Sequence, residues 1–438
     1  MSCEVDFVKA IFKALEKENI KFCVLRNADE VENGDAHDID MTADADRLVD
    51  VENVMLRVAN DCGWKMHIKI GSPKDKANIK CYHFYYANEE DSSVHIAHFD
   101  VFPTFAWKGY VLLENSHLVN NIDRSSVIHK SDASVEAVTK LFIRLLHNGY
   151  IKAKYKEYIR EVFSSYEEAV NSLMRNFLDN DTVQFVYQGV ISSEWSKIEE
   201  ERDRIVESVQ KSARKSKASY YRYLLKKMMG KPGLMVAFEG TDGSGKSTII
   251  NGLETTLENT FPEGMFDYNH WRPGVIIKKK SGASGERVVV TEPHAKKPYG
   301  RMKSFLKFML FNFDYLLGYW LKVRGQLAKG HLVVFDRYYY DYYMDKIRYR
   351  LNISDRVLDF FRFMISKPDV TFLLIGDPQV LYERKKEIDV EEIEEQIHRL
   401  KANKKKFAHA VEVDVNASVD DVVFCVAKEI LESCGRKY

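Results

Sequence analysis

Long uninterrupted apolar runs are missing from this 438-residue chain. The greasiest stretch, Phe305 to Val323, is broken by Lys307, Asp314 and Lys322. It cannot span a bilayer as roughly 20 uninterrupted apolar residues would. A surplus of either charge is also missing: 65 Lys+Arg balance 65 Asp+Glu. That excludes a histone-like or purely electrostatic polyanion binder, and no specific nucleic-acid binding is expected. None of the six cysteines (Cys3, Cys23, Cys62, Cys81, Cys425 and Cys434) forms a C-x-x-C pair, so a zinc ribbon or thioredoxin-type centre has no support. Glu4 and Asp6 stand where a signal peptide carries bases. The expectation is a cytoplasmic protein with reduced thiols. With 22 Gly and 9 Pro, collagen-like and Pro-rich architectures are out.

What is present is an ordinary globular balance, 45% apolar and 30% charged, in a length that suits two or three domains. Residues 1–118 mix helical and strand patterns, as a small α+β domain does. Val8, Ile11, Phe12 and Leu15 repeat at helical spacing; Ile20 to Leu25, Trp64 to Ile70 and Val94 to Phe102 are strand candidates. Residues 119–232 read as a helical connector ending in a basic linker, with ten Lys/Arg against three Asp/Glu from Glu201 to Pro232. Such a stretch is usually a solvated face. The sharper alternative is peripheral contact with anionic lipid, or with a phosphorylated substrate, helped by Tyr220, Tyr221 and Tyr223. Residues 233–438 alternate strands and helices, the pattern of α/β folds with a parallel sheet. The strand candidates there are Leu234–Phe238, Val288–Thr291, Leu332–Phe335, Val370–Ile375 and Val411–Val413.

The strongest motif is Gly240-Thr241-Asp242-Gly243-Ser244-Gly245-Lys246-Ser247, a match to G-x-x-x-x-G-K-[ST]. An apolar strand precedes it and a helix with Ile249, Ile250, Leu253 and Leu257 follows, as the motif demands. Glycines let backbone N–H groups converge on phosphate oxygens, and the helix N-terminus adds its positive end. Gly240, Asp242, Gly243, Ser244, Gly245, Lys246, Ser247 and Thr248 are the expected ATP-binding residues. Lys246 can reach the β- and γ-phosphates, and the Ser247 hydroxyl can ligate Mg²⁺. Further on, Leu332 to Phe335 runs into Asp336-Arg337-Tyr338. A buried strand ending there sets Asp336 to hold the metal or its water, and Arg337 to clamp an acceptor phosphate bidentately.

Phe238 to Thr248 together with Asp336-Arg337-Tyr338 resembles the thymidylate kinase branch of P-loop kinases. Pro368 to Leu374 fits the next strand of that family, Glu383-Arg384-Lys385-Lys386-Glu387 its lid over ATP, and Asp414 to Asp421 its closing strand and base-side loop. The resemblance implies a parallel five-stranded sheet flanked by helices, with ATP and Mg²⁺ as cofactors. It makes Lys246, Asp336, Arg337 and Arg384 the catalytic set and places Asp242 on the acceptor. The family's Thr-Arg-Glu-Pro-Gly-Gly segment is reduced here to Thr291-Glu292-Pro293-His294, and Tyr339-Tyr340-Asp341-Tyr342-Tyr343 follows the Asp-Arg-Tyr, before Arg348 and Arg350. The acceptor is therefore open: a nucleoside monophosphate, or another anionic molecule such as a sugar or polyol phosphate. Asp242, Arg272, Arg301, Arg337, Tyr338 and Asp341 are its expected binders, in a basic surrounding with Lys278 to Lys280, Lys296 and Lys297. A homodimer is compatible with this family.

A second metal site is expected in the N-terminal domain. His37-Asp38-Ile39-Asp40-Met41 puts two carboxylates on one face of a strand, and Asp100 ends a neighbouring strand. With Leu25-Arg26-Asn27, this resembles a divergent bacterial branch of the nucleotidyltransferase superfamily. The resemblance implies Asp38, Asp40 and Asp100 as metal ligands. It leaves two alternatives to a plain kinase: a bifunctional enzyme of surface-polysaccharide metabolism centred on nucleotidyl transfer, or a toxin-like effector. A P-loop NTPase switch without a kinase acceptor is a third.

Overall fold

The computed structural model describes residues 3–34, 38–72, 74–230, 232–262, 264–276 and 297–437. The strand candidate Val288–Thr291, the segment Thr291 to His294, Lys278 to Lys280, Lys296 and His37 lie outside them. Contacts divide the chain into two compact units, Met1–Tyr86 with His95–Lys227, and Met228–Tyr438 with Ala87–Val94.

In the first unit, helix α1 (Cys3–Lys17) buries Val5, Phe7, Val8, Ile11, Phe12 and Leu15 on one stripe. It is followed by β1 (Phe22–Val24), α2 (Ala28–Asn33), β2 (Asp38–Ala43), α3 (Leu48–Asp61), β3 (Lys65–Ile70), β4 (Lys80–Asn88) and β5 (Ser93–Val101). The strands form one sheet in the order β1-β2-β5-β4-β3. Its β2–β5 pair is parallel and sets Asp38 opposite His98 and Asp40 opposite Asp100. Strands β6 (Phe105–Trp107) and β7 (Tyr110–Leu113) then lead through α4 (Asn115–Leu118) into helices α5 (Ala133–Asn148), α6 (Ala153–Ser165), α7 (Glu167–Met174), α8 (Asn180–Ile191), α9 (Trp195–Glu200) and α10 (Arg202–Ser212). Short β8 (Arg214–Lys215) pairs back onto β7. Helix α11 (Lys217–Gly230) closes the region. The helices α5 to α10 share a single apolar cluster with Cys23, Leu25, Phe105, Trp107 and Leu113. The connector thus has its core in common with the strands before it.

The second unit is a doubly covered parallel sheet built from β9 (Leu234–Glu239), β10 (Phe266–His270), β11 (Leu332–Asp336), β12 (Val370–Ile375) and β13 (Ala410–Asp414). The order is β10-β11-β9-β12-β13, with all four pairings parallel. This is the α/β class with a five-stranded parallel sheet that the sequence implied. The central β9 and β11 are buried at every residue, as parallel strands covered on both faces must be. Edge strand β10 reads Phe-Asp-Tyr-Asn-His and is mostly half-buried. It carries no apolar run, so the sequence reading missed it. The helices are α12 (Lys246–Thr256), α13 (Arg301–Gly318), α14 (Arg324–Lys329), α15 (Asp341–Met344), α16 (Asp355–Arg362), α17 (Pro378–Arg384), α18 (Val390–Asn403) and α19 (Val419–Gly435). The greasy stretch resolves as α13 running through a π-helical turn, Tyr319–Val323, into α14. No helix among the described residues is long and apolar enough to cross a membrane.

Candidate functional site

The C-terminal ends of β9 and β11 lie side by side, Asp336 opposite Phe238. The chain therefore brings the glycine loop and the Asp-Arg turn to one sheet edge. Two glycines make the loop possible. Gly243 and Gly245 sit at φ +83° and +78°, where a side chain is strained. A Cβ on Gly243 would also lie 2.4 Å from the Leu381 carbonyl oxygen. Helix α12 starts at Lys246 with Gly245 as its cap. Ser247 and Thr248 are exposed on its first turn.

Lys246 is buried and folded back on its own loop. Its Nζ donates to the carbonyls of Gly240 and Thr241, both at 2.8 Å, and to Ser244 Oγ at 3.1 Å. Burial, then the positive Arg337, lowers its pKa to about 8. Asp336 ends β11. Its Oδ2 accepts from Tyr268 at 2.9 Å and faces His270 Nδ1 at 3.4 Å, both from β10. Burial alone would raise the Asp336 carboxyl, but His270, Lys246 and Arg337 override it and hold it well below the usual range. The other oxygen, Oδ1, is buried with no hydrogen-bond partner. An ionised carboxylate with one oriented oxygen and one bare one beside a phosphate loop suits a Mg²⁺ ion or its water. Ser247 and Asp336 therefore fit the expected metal.

The next residue, Arg337, takes φ 67°, a sparsely populated conformation for a non-glycine residue. Its N–H bonds the Phe238 carbonyl at 2.9 Å, which pins the turn to β9. Its guanidinium, 3% exposed, donates Nη1 to Asp341 at 2.8 Å and Nη2 to Asp242 at 2.7 Å. Asp341 also accepts from Tyr349, and Asp242 from Arg348. Burial pushes the Asp242 carboxyl up, and Arg337 and Arg348 pull it down further, well below its ordinary value. Glu239, at the end of β9, accepts the Tyr338 N–H at 2.9 Å. Burial first and Asp341 second raise its pKa well above the carboxylate range.

The structure brings Asp242, Lys246, Asp336, Arg337 and Asp341 together. The other expected acceptor and lid residues fall elsewhere. Arg272, 5% exposed, gives Nη1 to Asp314 of α13 at 2.6 Å. That aspartate also accepts the Gly274 and Ile276 N–H groups, so the pair pins the 272–276 loop to α13. Arg301 is exposed at the start of α13. The Tyr338 hydroxyl is committed to the Ser366 carbonyl at 2.6 Å. Arg384 ends α17 and donates to the Val415 carbonyl at 3.0 Å. Arg348, Tyr349, Glu239, Tyr268 and His270 belong to the cluster, and the sequence reading gave none of them a role. Only Arg348 had a signal, as one of two arginines closely following the tyrosine run.

On the N-terminal sheet, Asp40 pairs with Arg26 at 2.6 Å. His98 stands between two carboxylates, with Nδ1 on Asp38 and Nε2 on Asp100, the latter at 2.9 Å. Although burial works against it, hydrogen bonds donated to Asp100 and Asp38 raise the His98 pKa well above its usual value. Tyr223 of α11 lies near this group: burial, then Cys81 and Asp100, push its hydroxyl up.

The thymidylate kinase family model matches residues 276–423. The C-terminal half carries a thymidylate kinase-like domain. A curated relative from Pyrobaculum aerophilum, named "Probable thymidylate kinase", is 26% identical over 147 residues, 33% of this chain and 66% of that relative. This chain thus spans just under two thirds of the relative's length. The solved thymidylate kinase of Ehrlichia chaffeensis aligns at 15% identity and a TM-score of 0.29, over 45% of this chain and 98% of that one. The glycine loop precedes the family match, so the thymidylate kinase-like reading and the loop motif are separate observations.

Proposed function

We propose that the thymidylate kinase-like unit is an ATP- and Mg²⁺-dependent phosphotransferase acting on an anionic acceptor, either a nucleoside monophosphate or a sugar or polyol phosphate. The observation that carries this is the buried Asp242–Arg337–Asp341 network next to Lys246 on one sheet edge. Phosphoryl transfer needs positioning and charge neutralisation rather than a covalent enzyme intermediate. An acceptor oxygen attacks the γ-phosphorus, its bond to the β–γ bridging oxygen breaks, and ADP leaves with that oxygen's electrons. Lys246 exchanges its loop carbonyls for phosphate oxygens and carries their charge. Asp336, oriented by Tyr268 and His270, would hold the metal with Ser247, and a bound Mg²⁺ would supply positive charge to the donor phosphates. Arg337 and Asp242 hold the acceptor, and Arg384, with Lys385 or Lys386, closes over ATP.

A screen with γ-labelled ATP against dTMP, other nucleoside monophosphates, and sugar and polyol phosphates tests this reading. A labelled acceptor supports it; free phosphate alone turns it into an NTPase switch. Lys246→Ala is expected to lower transfer by about 10²–10³-fold with an unchanged unfolding curve, and full turnover in that variant sinks the assignment.

A second reading, nucleotidyl transfer in the N-terminal unit, has one supporting observation: the parallel β2–β5 pairing sets Asp40 opposite Asp100. Together the two activities would suit the making of an activated, phosphorylated building block for a surface polysaccharide. Loss of transferase activity in Asp40→Asn, with kinase activity kept, would support it. Two lesser proposals follow from exposed surfaces. Met302, Leu306, Leu310 and Leu317 leave an apolar stripe on α13 open, which suits a homodimer. Tyr221, Leu225 and Met228 are exposed on basic α11, which suits peripheral membrane contact. Sedimentation and vesicle flotation decide these.

A further inference from the structure

One face of the N-terminal sheet is apolar and the other collects titratable side chains. Tyr82 and Phe84 of β4, Phe99 and Val101 of β5, and Ile39 and Met41 of β2 sit in the core under α1 and α3. Strand side chains alternate between faces, so Cys81 and His83, His98 and Asp100, and Asp38 and Asp40 share the opposite face. There the rings of His67, His83 and His98 run across three strands, with centroids 5.7 and 3.7 Å apart.

Within this row, Cys81 Sγ, a ring nitrogen of His98 and a carboxylate oxygen of Asp100 all lie within 4.8 Å of one another. Three donor types, thiol, imidazole and carboxylate, meet at one point. They are not sealed: the His98 and Asp100 side chains keep 18% and 25% of their exposure, which leaves an ion a way in. The surrounding contacts match a metal centre in a second way. A histidine that ligates a metal through one nitrogen usually gives its other N–H to a carboxylate, which fixes the ring. Here His98 has Asp38 on Nδ1 and Asp100 on Nε2. The adjoining His83 is buried, lies ring against ring with His98, and has an Nδ1 without a hydrogen-bond partner. Asp40, the other carboxylate on this face, is occupied by Arg26.

We propose that Cys81, His98 and Asp100 bind one divalent transition-metal ion of zinc type, with Asp38 orienting His98 from behind. A mixed S/N/O donor set suits borderline-soft ions such as Zn²⁺ or Co²⁺, whereas Mg²⁺ and Ca²⁺ take oxygen ligands. Binding displaces the thiol proton of Cys81 and the Nε2 proton of His98 to solvent. Asp38 keeps the Nδ1–H, so the ring stays in place when the ion arrives. The inference stands whether or not either transfer reaction occurs, because it rests on the donors alone.

The test uses the full chain, stripped with a chelator and titrated with Co²⁺ in excess Mg²⁺, which fills oxygen-only sites. One Co²⁺ per chain is expected, with thiolate-to-cobalt charge-transfer absorption that Zn²⁺ abolishes. Cys81→Ser loses that band, while Cys425→Ser keeps it. Asp38→Asn keeps the band and weakens binding about 10–100-fold, the usual cost of removing a partner behind a metal-bound histidine. No thiolate band in the unmodified chain, or an unchanged band in Cys81→Ser, overturns the proposal. Should Cys81→Ser fail to fold, Asp100→Asn gives the same decision: unchanged Co²⁺ affinity in that variant overturns it.

Discussion

Two sheets in this protein each place aspartates on neighbouring parallel strands or at their ends, and their surroundings make them opposite kinds of site. At the C-terminal sheet edge, Asp242, Asp336 and Asp341 meet Lys246, Arg337 and Arg348, nearly all of it out of water. These aspartates are matched by fixed cations, and among them Asp336 keeps one buried oxygen bare. On the N-terminal sheet, Asp38 and Asp100 meet His98 and Cys81, groups that can lose a proton and become ligands, and Asp38 is 78% exposed. Fixed cations around a glycine loop suit an anionic phosphate, whereas ionisable soft donors suit a cation. The residue type is shared; the neighbours decide.

This contrast can be broken at its buried end first. Arg337→Ala leaves buried Asp341 without its cation and Asp242 with Arg348 alone, and is expected to cost about 3–5 kcal/mol of stability, read by urea unfolding. An unchanged midpoint would mean the network is solvated. The same network sets an acid limb. The Asp242 pKa lies below its unfolded value, so the stability it gives is complete above about pH 4 and is lost as pH falls through the folded value. Asp242→Asn should flatten the stability–pH curve below about pH 4 relative to the parent chain. Tyr268→Phe removes one bond to an ionised carboxylate, worth about 1.5–3 kcal/mol. It should also loosen Mg²⁺ dependence, since Asp336 loses its orienting donor. The smallest effect belongs to the exposed end: Asp38→Asn is expected to change stability by less than about 1 kcal/mol. A loss as large as that of Arg337→Ala would erase the distinction between the two sites.

Much of the C-terminal fold was legible because its central strands are buried on both faces, which forces continuous apolar runs such as Val370 to Ile375. Strand β10 was not, since an edge strand with one wet face carries Asp267, Asn269 and His270 without a hydrophobic signal. For that reason the orienting partners of Asp336 were missed together with the strand that holds them. Arg272 shows the converse. Its basic surroundings pointed to an acceptor, yet its charge is spent on Asp314, a partner 42 residues away. In the N-terminal unit the Asp38–Asp40 spacing and the strand of Asp100 were readable, but Cys81 was one of six scattered thiols until β4 was set beside β5.

By itself the sequence determined the chemistry of continuous segments: a glycine loop ending in Lys246 and Ser247, an Asp-Arg turn after an apolar strand, and a β-strand with two aspartates. Those are local, because spacing along one chain fixes which face or end a residue occupies. Only the tertiary structure decided partnerships. Arg337 is shared by Asp242 and Asp341, 95 and 4 residues away, and His98 sits between carboxylates from two strands. Charge and ligand chemistry act over a few ångströms in space, and sequence distance carries no information about which groups come that close.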